Sequence, residues 1–210
     1  MTGGVSRFIT LEGLEGAGKS TAMAFARDWF EARGQEVVCT REPGGTPLAE
    51  ELRSVLKAVR DEPVAPSTEL LLMFAARSQH VERVIRPALD AGKVVVCDRF
   101  TDSTRAYQGA GRGLPMVVIE QLAAIAHADC NPGLTLWLDV PVTLGLERAA
   151  AREAADRFEK EALDFFERTR SGFEALSRRE PGRVQRIDAT RPLEEVRAAV
   201  ESLLEAHHGD

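Results

Sequence analysis

An α/β fold built on a parallel sheet is what this sequence predicts, and three observations carry the prediction. Five short strand-like runs, at 8–12, 36–40, 94–97, 134–139 and 184–188, alternate with stretches of helical periodicity. That alternation implies parallel strands joined by right-handed crossovers. Val94-Val95-Val96-Cys97 is apolar without a break, as suits a strand covered on both faces. The first run passes through a glycine-rich stretch directly into a helical pattern. The 210 residues, 44% hydrophobic and 29% charged, suit one compact domain with a real core. No internal repeat, low-complexity tract or interdomain linker divides the chain.

The helices follow in order. The first spans 19–33, with Met23, Ala26 and Phe30 on one face and Gly34 as its stop. The second uses Leu48, Leu52, Val55, Leu56 and Val59. After a loop with Pro63 and Pro66, Ser67 is placed to cap a long helix that ends before Gly92. Its apolar face holds Leu70, Phe74, Val81, Val84 and Leu89. Another helix begins near Pro115 and carries Ile119, Leu122 and Ile125. A helix over 143–151 leads into Arg152-Glu153-Ala154-Ala155-Asp156-Arg157, which is charged, lacks an apolar stripe and reads as a mobile segment. Leu163, Phe166, Phe173 and Leu176 mark the next helix, which stops before Pro181-Gly182, and a last helix covers 193–206.

Composition narrows the classes. A net charge of -6 opposes a general nucleic-acid binder, because such a chain repels a phosphate backbone. Cys39, Cys97 and Cys130 are far apart with no C-x-x-C spacing and read as reduced, partly buried thiols of a cytoplasmic protein. His207-His208 read as solvated tail residues. No apolar run approaches ~20 residues, so no membrane span is expected, and residues 1–7 are too short and polar for a secretory signal.

Gly13-Leu14-Glu15-Gly16-Ala17-Gly18-Lys19-Ser20 is the most specific motif. It reads G-x-x-x-x-G-K-S between a strand and a helix, the context that confirms a phosphate-binding loop. Its backbone N–H groups turn inward around an anion, Lys19 adds a charge for β/γ-phosphates, and the Ser20 hydroxyl suits Mg²⁺. The chain therefore handles a nucleoside triphosphate. Asp98-Arg99 ends the third strand, at the sheet edge where ligands bind in open parallel sheets. A carboxylate there can organise a metal, and an arginine can fork onto a phosphate.

Arg53, Arg77 and Arg99 come from three segments that reach this edge, as a second phosphorylated ligand requires; Arg53 and Arg77 also suit plain solvation of helix faces. Phe74 lies three residues before Arg77 and shares its helix face, although core packing explains Phe74 equally well. Arg41-Glu42-Pro43-Gly44-Gly45-Thr46 makes a tight turn at the same edge. Ser103-Thr104-Arg105-Ala106-Tyr107-Gln108-Gly109 offers partners for a sugar and a base, and by composition is a polar helix start and loop. Arg148, Arg152 and Arg157 flank the charged segment, where an arginine arriving on closure would stabilise a transferring phosphoryl group.

Together these motifs resemble the thymidylate kinase family over essentially the whole chain. The stretch 13–21, through Thr21, is similar to the family's ATP loop. The turn 41–46 is similar to the bacterial form of its second motif, Asp98-Arg99-Phe100 through Gln108-Gly109 to its signature around the third strand, and Asp188-Ala189-Thr190 to its last loop. The resemblance implies a P-loop NTPase-type three-layer fold with a five-stranded parallel sheet in the order 2-3-1-4-5, and phosphorylation of dTMP by ATP with Mg²⁺. It implies Glu12 near the sugar 3′-hydroxyl and Arg53 and Arg99 on the acceptor phosphate. Phe74 is implied to stack on thymine, Arg77 to bond its carbonyl, and Ser103, Thr104 and Gln108 to lie at base or sugar. Tyr107 is placed against the sugar's C2′ side, Glu42 and Pro43 at the acceptor, Asp98 and Ser20 on Mg²⁺, and Arg191 by adenine. It also implies a homodimer with no nucleic-acid or membrane partner.

Family members differ in where a catalytic arginine sits. The loop here has Leu14, Glu15 and Ala17 but no arginine, so the lid at about 148–160 is implied to supply it: Arg152 foremost, with Arg148 and Arg157 contributing. Phe100 replaces the commoner tyrosine after Asp-Arg. The nearest alternative is another nucleotide kinase on the same sheet. A GTP-type switch is disfavoured by the absence of N-K-x-D and D-x-x-G; Asn131 is the sole asparagine and precedes Pro132.

Overall fold

The computed structural model describes residues 6–151, 157–158 and 161–209. Five strands, β1 (Phe8–Glu12), β2 (Val37–Arg41), β3 (Val94–Asp98), β4 (Leu134–Asp139) and β5 (Val184–Asp188), form one sheet in the order β2-β3-β1-β4-β5. Every pairing is parallel, as the alternation predicts. The three inner strands are buried almost throughout, whereas β2 and β5, at the edges, are partly exposed. An inner strand of a doubly covered sheet has no solvated face, which is why β3 is apolar from Val94 to Cys97.

Helices α1 (Lys19–Glu31) and α9 (Leu193–His208) cover one face. Ile9, Leu11, Val94, Val96, Leu134 and Leu136 pack there against Phe30, Val200 and Leu204. On the other face, Phe8, Val95 and Cys97 meet Val81, Ile85 and Phe100, while Trp137 and Val184 meet Phe166 and Phe173 of α8 (Leu163–Arg179). Helices α2 (Pro47–Lys57), α6 (Met116–Ala126) and α7 (Val142–Ala150) complete the shell. No helix among the described residues is long and apolar enough to cross a membrane.

Three expectations are corrected. The long helix begins at Pro66, not after Ser67: α3 runs Pro66–His80 with Ala65 at its cap and no side-chain cap bond, because proline suits the first helical position, where its missing N–H costs nothing. The helical path then widens into a π turn over Val81–Ile85 before α4 (Arg86–Asp90). Pro87 explains the widening, since it lacks the N–H for the 83 carbonyl and its ring crowds that turn.

The stretch read as a polar helix start and loop is helical and largely buried, as α5 (Thr101–Thr104) followed by a π turn over Arg105–Gly111. It is held against α8 by close approach: a Cβ on Gly172 would sit 2.8 Å from that of Ala110. His207 and His208 are not solvated tail residues. The His208 ring packs edge-on against Phe30 at 4.9 Å, and burial first, then His207 and Arg7, pull its pKa down to about 4. Of the cysteines, Cys97 and Cys130 are buried and Cys39 is exposed; all three are free.

Candidate active site

The loop between β1 and α1 is shaped by glycines at positive φ, 139° at Gly13 and 72° at Gly16. A Cβ at Gly13 would lie 2.4 Å from the Leu138 carbonyl oxygen, and one at Gly16 would lie 1.9 Å from that of Gly145, so only glycine lets the loop press against β4 and α7. Lys19 Nζ donates to the Leu14 carbonyl at 3.0 Å and lies 3.4 Å from that of Gly13. Burial, then Arg99, lower the Lys19 pKa against the pull of Asp98, Glu15 and Glu12. Ala17 is buried, Gly18 caps α1, and Ser20 and Thr21 are exposed at its first turn.

The loop opens into a cavity of about 360 Å³ lined at one end by Gly16, Lys19 and Ser20 and at the other by Arg53, Arg77 and Arg99. Asp98 also lines the cavity, and its Oδ1 is buried with no hydrogen-bond partner among the described residues. Arg99 has φ 71°, a left-handed backbone that is costly for a non-glycine residue and collects at functional sites. Its guanidinium donates to Ser103 Oγ at 3.1 Å and to Glu15 Oε1 at 2.8 Å, and sits 4.9 Å from the Tyr107 ring. Burial opposes its charge, but Tyr107, Glu15, Asp98 and Glu12 outweigh burial and raise its pKa.

Protein partners hold several of the predicted residues. Glu15 belongs to the phosphate loop by sequence, yet its side chain faces Arg99 and takes a second hydrogen bond from the Tyr107 hydroxyl at 2.7 Å. Glu12, placed near the sugar by the resemblance, is 0% exposed and is not among the residues lining the cavity. Its oxygens accept from the Phe100 N–H at 2.7 Å and the Ser103 hydroxyl at 2.5 Å. Burial, helped by Asp102, pushes its pKa up to about 7. Phe74 sits in a core cluster with Leu70 and Ile119 and carries the Arg77 guanidinium 4.9 Å over its ring, while Met73 lines the cavity.

Arg157 is away from the phosphate loop. It donates to the Leu56 carbonyl at 2.8 Å and to Glu69 Oε2 at 2.7 Å, because α2 ends there with carbonyls that need donors. Arg148 donates to the Ala189 carbonyl at 3.0 Å. Arg191 is exposed and pairs with Asp188 at 3.2 Å. Arg152 lies outside the described residues.

The arginine end of the cavity rests on a buried chain that sequence reasoning missed. Arg77 Nε donates to Glu42 Oε2 at 2.6 Å and its Nη1 to Thr104 Oγ1 at 3.0 Å. His80 bridges Glu42 Oε1 at 2.9 Å and Thr40 Oγ1 at 2.7 Å. Burial works against the Glu42 charge, but Arg77 and His80 prevail and hold its pKa below the usual carboxylate range. A signal for His80 did exist: Phe74, Arg77 and His80 recur every three residues on one helix face. Arg53 donates to the Pro43 carbonyl at 2.8 Å, fixing the 41–46 turn beside it. Lys57 and Phe158 also line the cavity and were not foreseen.

A phosphate loop facing a separate cationic pocket across one sheet edge defines a phosphotransferase of the P-loop class. The sequence profile described as thymidylate kinase matches residues 11–200. The thymidylate kinase of Teredinibacter turnerae is 52% identical over 206 residues, covering 98% of this chain and 99% of its own. That of Alkalilimnicola ehrlichii is 56% identical over 199 residues, covering 94% and 92%. The crystal structure of thymidylate kinase from Ehrlichia chaffeensis superposes with a TM-score of 0.75 at 34% identity, covering 94% of this chain and 97% of that one. The chain belongs to the thymidylate kinase family.

Proposed function

We propose that the chain transfers the γ-phosphoryl group of ATP to dTMP, giving dTDP and ADP, in the presence of Mg²⁺. The observation that carries this reading is the single cavity with Lys19 and Ser20 at one end and Arg53, Arg77 and Arg99 at the other. Loop amides and Lys19 hold the donor phosphates, and Arg53 and Arg99 hold the acceptor phosphate so that its oxygen attacks in line. Asp98 and Ser20 are the residues that would hold Mg²⁺, and the unpartnered Asp98 Oδ1 fits that role. The ion, when bound, neutralises charge on the phosphate oxygens.

At the acceptor base, Arg77 can only donate, which suits a pyrimidine carbonyl. The base lies against Met73 and Arg77 of α3, beside Thr104 and Gln108, and the sugar lies by Tyr107, Ser103 and Glu15. The proton of Tyr107 stays in place, since burial raises its pKa well above the usual value. Arg148 and Arg191 flank the nucleotide donor, and Arg152 supplies the catalytic charge from the lid, because the phosphate loop has no arginine. Two copies pair through α3 and α6, where Leu71, Val117, Val118 and Ile125 are exposed, Ile125 at 80%.

A coupled ADP-release assay over dTMP, dUMP, UMP, CMP, AMP and thymidine tests the reading. It predicts highest kcat/KM with dTMP. Turnover of UMP without turnover of dTMP would overturn it in favour of another nucleotide kinase on the same sheet.

A further inference from the structure

We propose that Glu69 is a specificity-determining positioning residue. It locks the Gln108 amide in the one orientation that leaves a carbonyl oxygen for the base of the acceptor. This inference rests on the acceptor reading given above.

Glu69 stands in the first turn of α3, outside the cavity wall, and is 0% exposed. Its Oε1 accepts from Gln108 Nε2 at 2.9 Å and Arg112 Nε at 3.2 Å; its Oε2 accepts from Arg112 Nη2 at 3.1 Å and Arg157 Nη1 at 2.7 Å. Arg112 is itself held, paired with Glu161 at 2.6 Å and lying 4.5 Å over the Phe165 ring. Burial opposes the Glu69 charge, but Gln108, Arg112 and Arg157 together hold its pKa below the usual carboxylate range.

An ionised carboxylate only accepts hydrogen bonds. The amide of Gln108 must therefore donate to it, and a flipped amide would set two oxygens against each other in a buried place, which is costly. The backbone of Gln108 is fixed on the π turn packed against α8, so orientation of the amide is the freedom that remains. With one Nε2 hydrogen given to Glu69 the amide is oriented, and Oε1 is the acceptor that Gln108, which lines the cavity beside Thr104 and Arg77, has to offer a base. A base with an N–H at that edge, such as thymine or uracil at N3, meets an acceptor. Cytosine, with a lone pair at N3, meets an oxygen. A carboxylate that touches no substrate thereby sets which pyrimidine is accepted.

The test compares dTMP and dCMP on the full-length protein, by turnover with saturating ATP and by competitive binding of dCMP against dTMP. Glu69→Gln is predicted to raise the KM for dTMP and to shrink the dTMP-over-dCMP preference by about tenfold, the worth of a charge-assisted bond. The KM for ATP stays unchanged and kcat stays within about threefold. In a Gln108→Ala background the same substitution is predicted to leave the preference unmoved, because Glu69 acts through Gln108.

Should Glu69→Gln not accumulate as folded protein, Glu69→Asp keeps the charge for both arginines while withdrawing the oxygen from Gln108, and is predicted to give the same loss. A folded variant with wild-type dTMP KM and wild-type preference overturns the proposal, as does an undiminished effect in the Gln108→Ala background. Absence of dTMP turnover in the unsubstituted protein would instead overturn the acceptor reading itself.

Discussion

The two ends of the cavity are built on different principles. The donor end is made by backbone: glycines at positive φ, loop amides and one lysine within a run of eight residues. The acceptor end is made by side chains drawn from β2, α2, α3, β3 and the 101–111 segment, tied together by a buried ion pair and by hydrogen bonds over sequence separations of 27 to 92 residues. A backbone cradle binds any polyphosphate that fits. Placed side chains discriminate, because an incorrect ligand leaves their buried polar groups unpaired. General binding is thus assigned to the end set by local sequence, and selectivity to the end set by the fold.

Substitutions that separate the two ends sharpen this contrast. The largest effect belongs to Lys19→Ala, predicted to lower kcat by ~10³ or more, since it removes charge stabilisation of the transferring group. In steady-state kinetics the KM for dTMP stays within about threefold. A kcat within tenfold of the parent would contradict the donor assignment.

Next comes Glu42→Gln. Arg77 and Glu42 are each 3% exposed, so removing the carboxylate charge strands a buried cation, at a cost of about 3 kcal/mol. Urea denaturation is predicted to show that loss, and kinetics a rise of about tenfold in the KM for dTMP with the KM for ATP unchanged. Equal rises in both KM values would mean that the ends are not separable.

The Glu12 effect falls on stability alone and leaves both KM values in place. Its folded pKa, about 7 against the ordinary 4.5, means that between these values the folded state holds a proton that the unfolded chain has released. Its contribution to stability is therefore full below pH 4.5, declines by up to about 1.4 kcal/mol per pH unit from 4.5 to 7, and is flat above. Glu12→Gln is predicted to abolish that decline in urea midpoints taken across pH 5 to 7. An unchanged pH profile would show that Glu12 keeps an ordinary pKa.

The donor end was legible in the sequence because its geometry is local. G-x-x-x-x-G-K-S after a strand dictates its own turn, and Lys19 and Ser20 fall where the motif puts them. Arg53, Arg77 and Arg99 were legible as cations at the correct sheet edge, although their partners were not. Glu42 with His80, Glu12 with Ser103, and Glu69 with Gln108 pair across distances that only the packed sheet closes, and no periodicity reveals such pairs. The same limit explains the buried 101–111 helix: its polar residues suggest exposure until the network that satisfies them is assembled. The π turn before Pro87 was readable in principle, since the proline stands inside the helical pattern.

Calorimetric titration of dTMP without ATP, on the parent protein, Lys19→Ala and Arg99→Ala, tests the division of the cavity most directly. The account predicts that Lys19→Ala binds dTMP within about threefold of the parent, while Arg99→Ala loses two orders of magnitude or more, because a buried phosphate contact is removed. Similar losses in both variants, or unchanged dTMP affinity in Arg99→Ala, would contradict it.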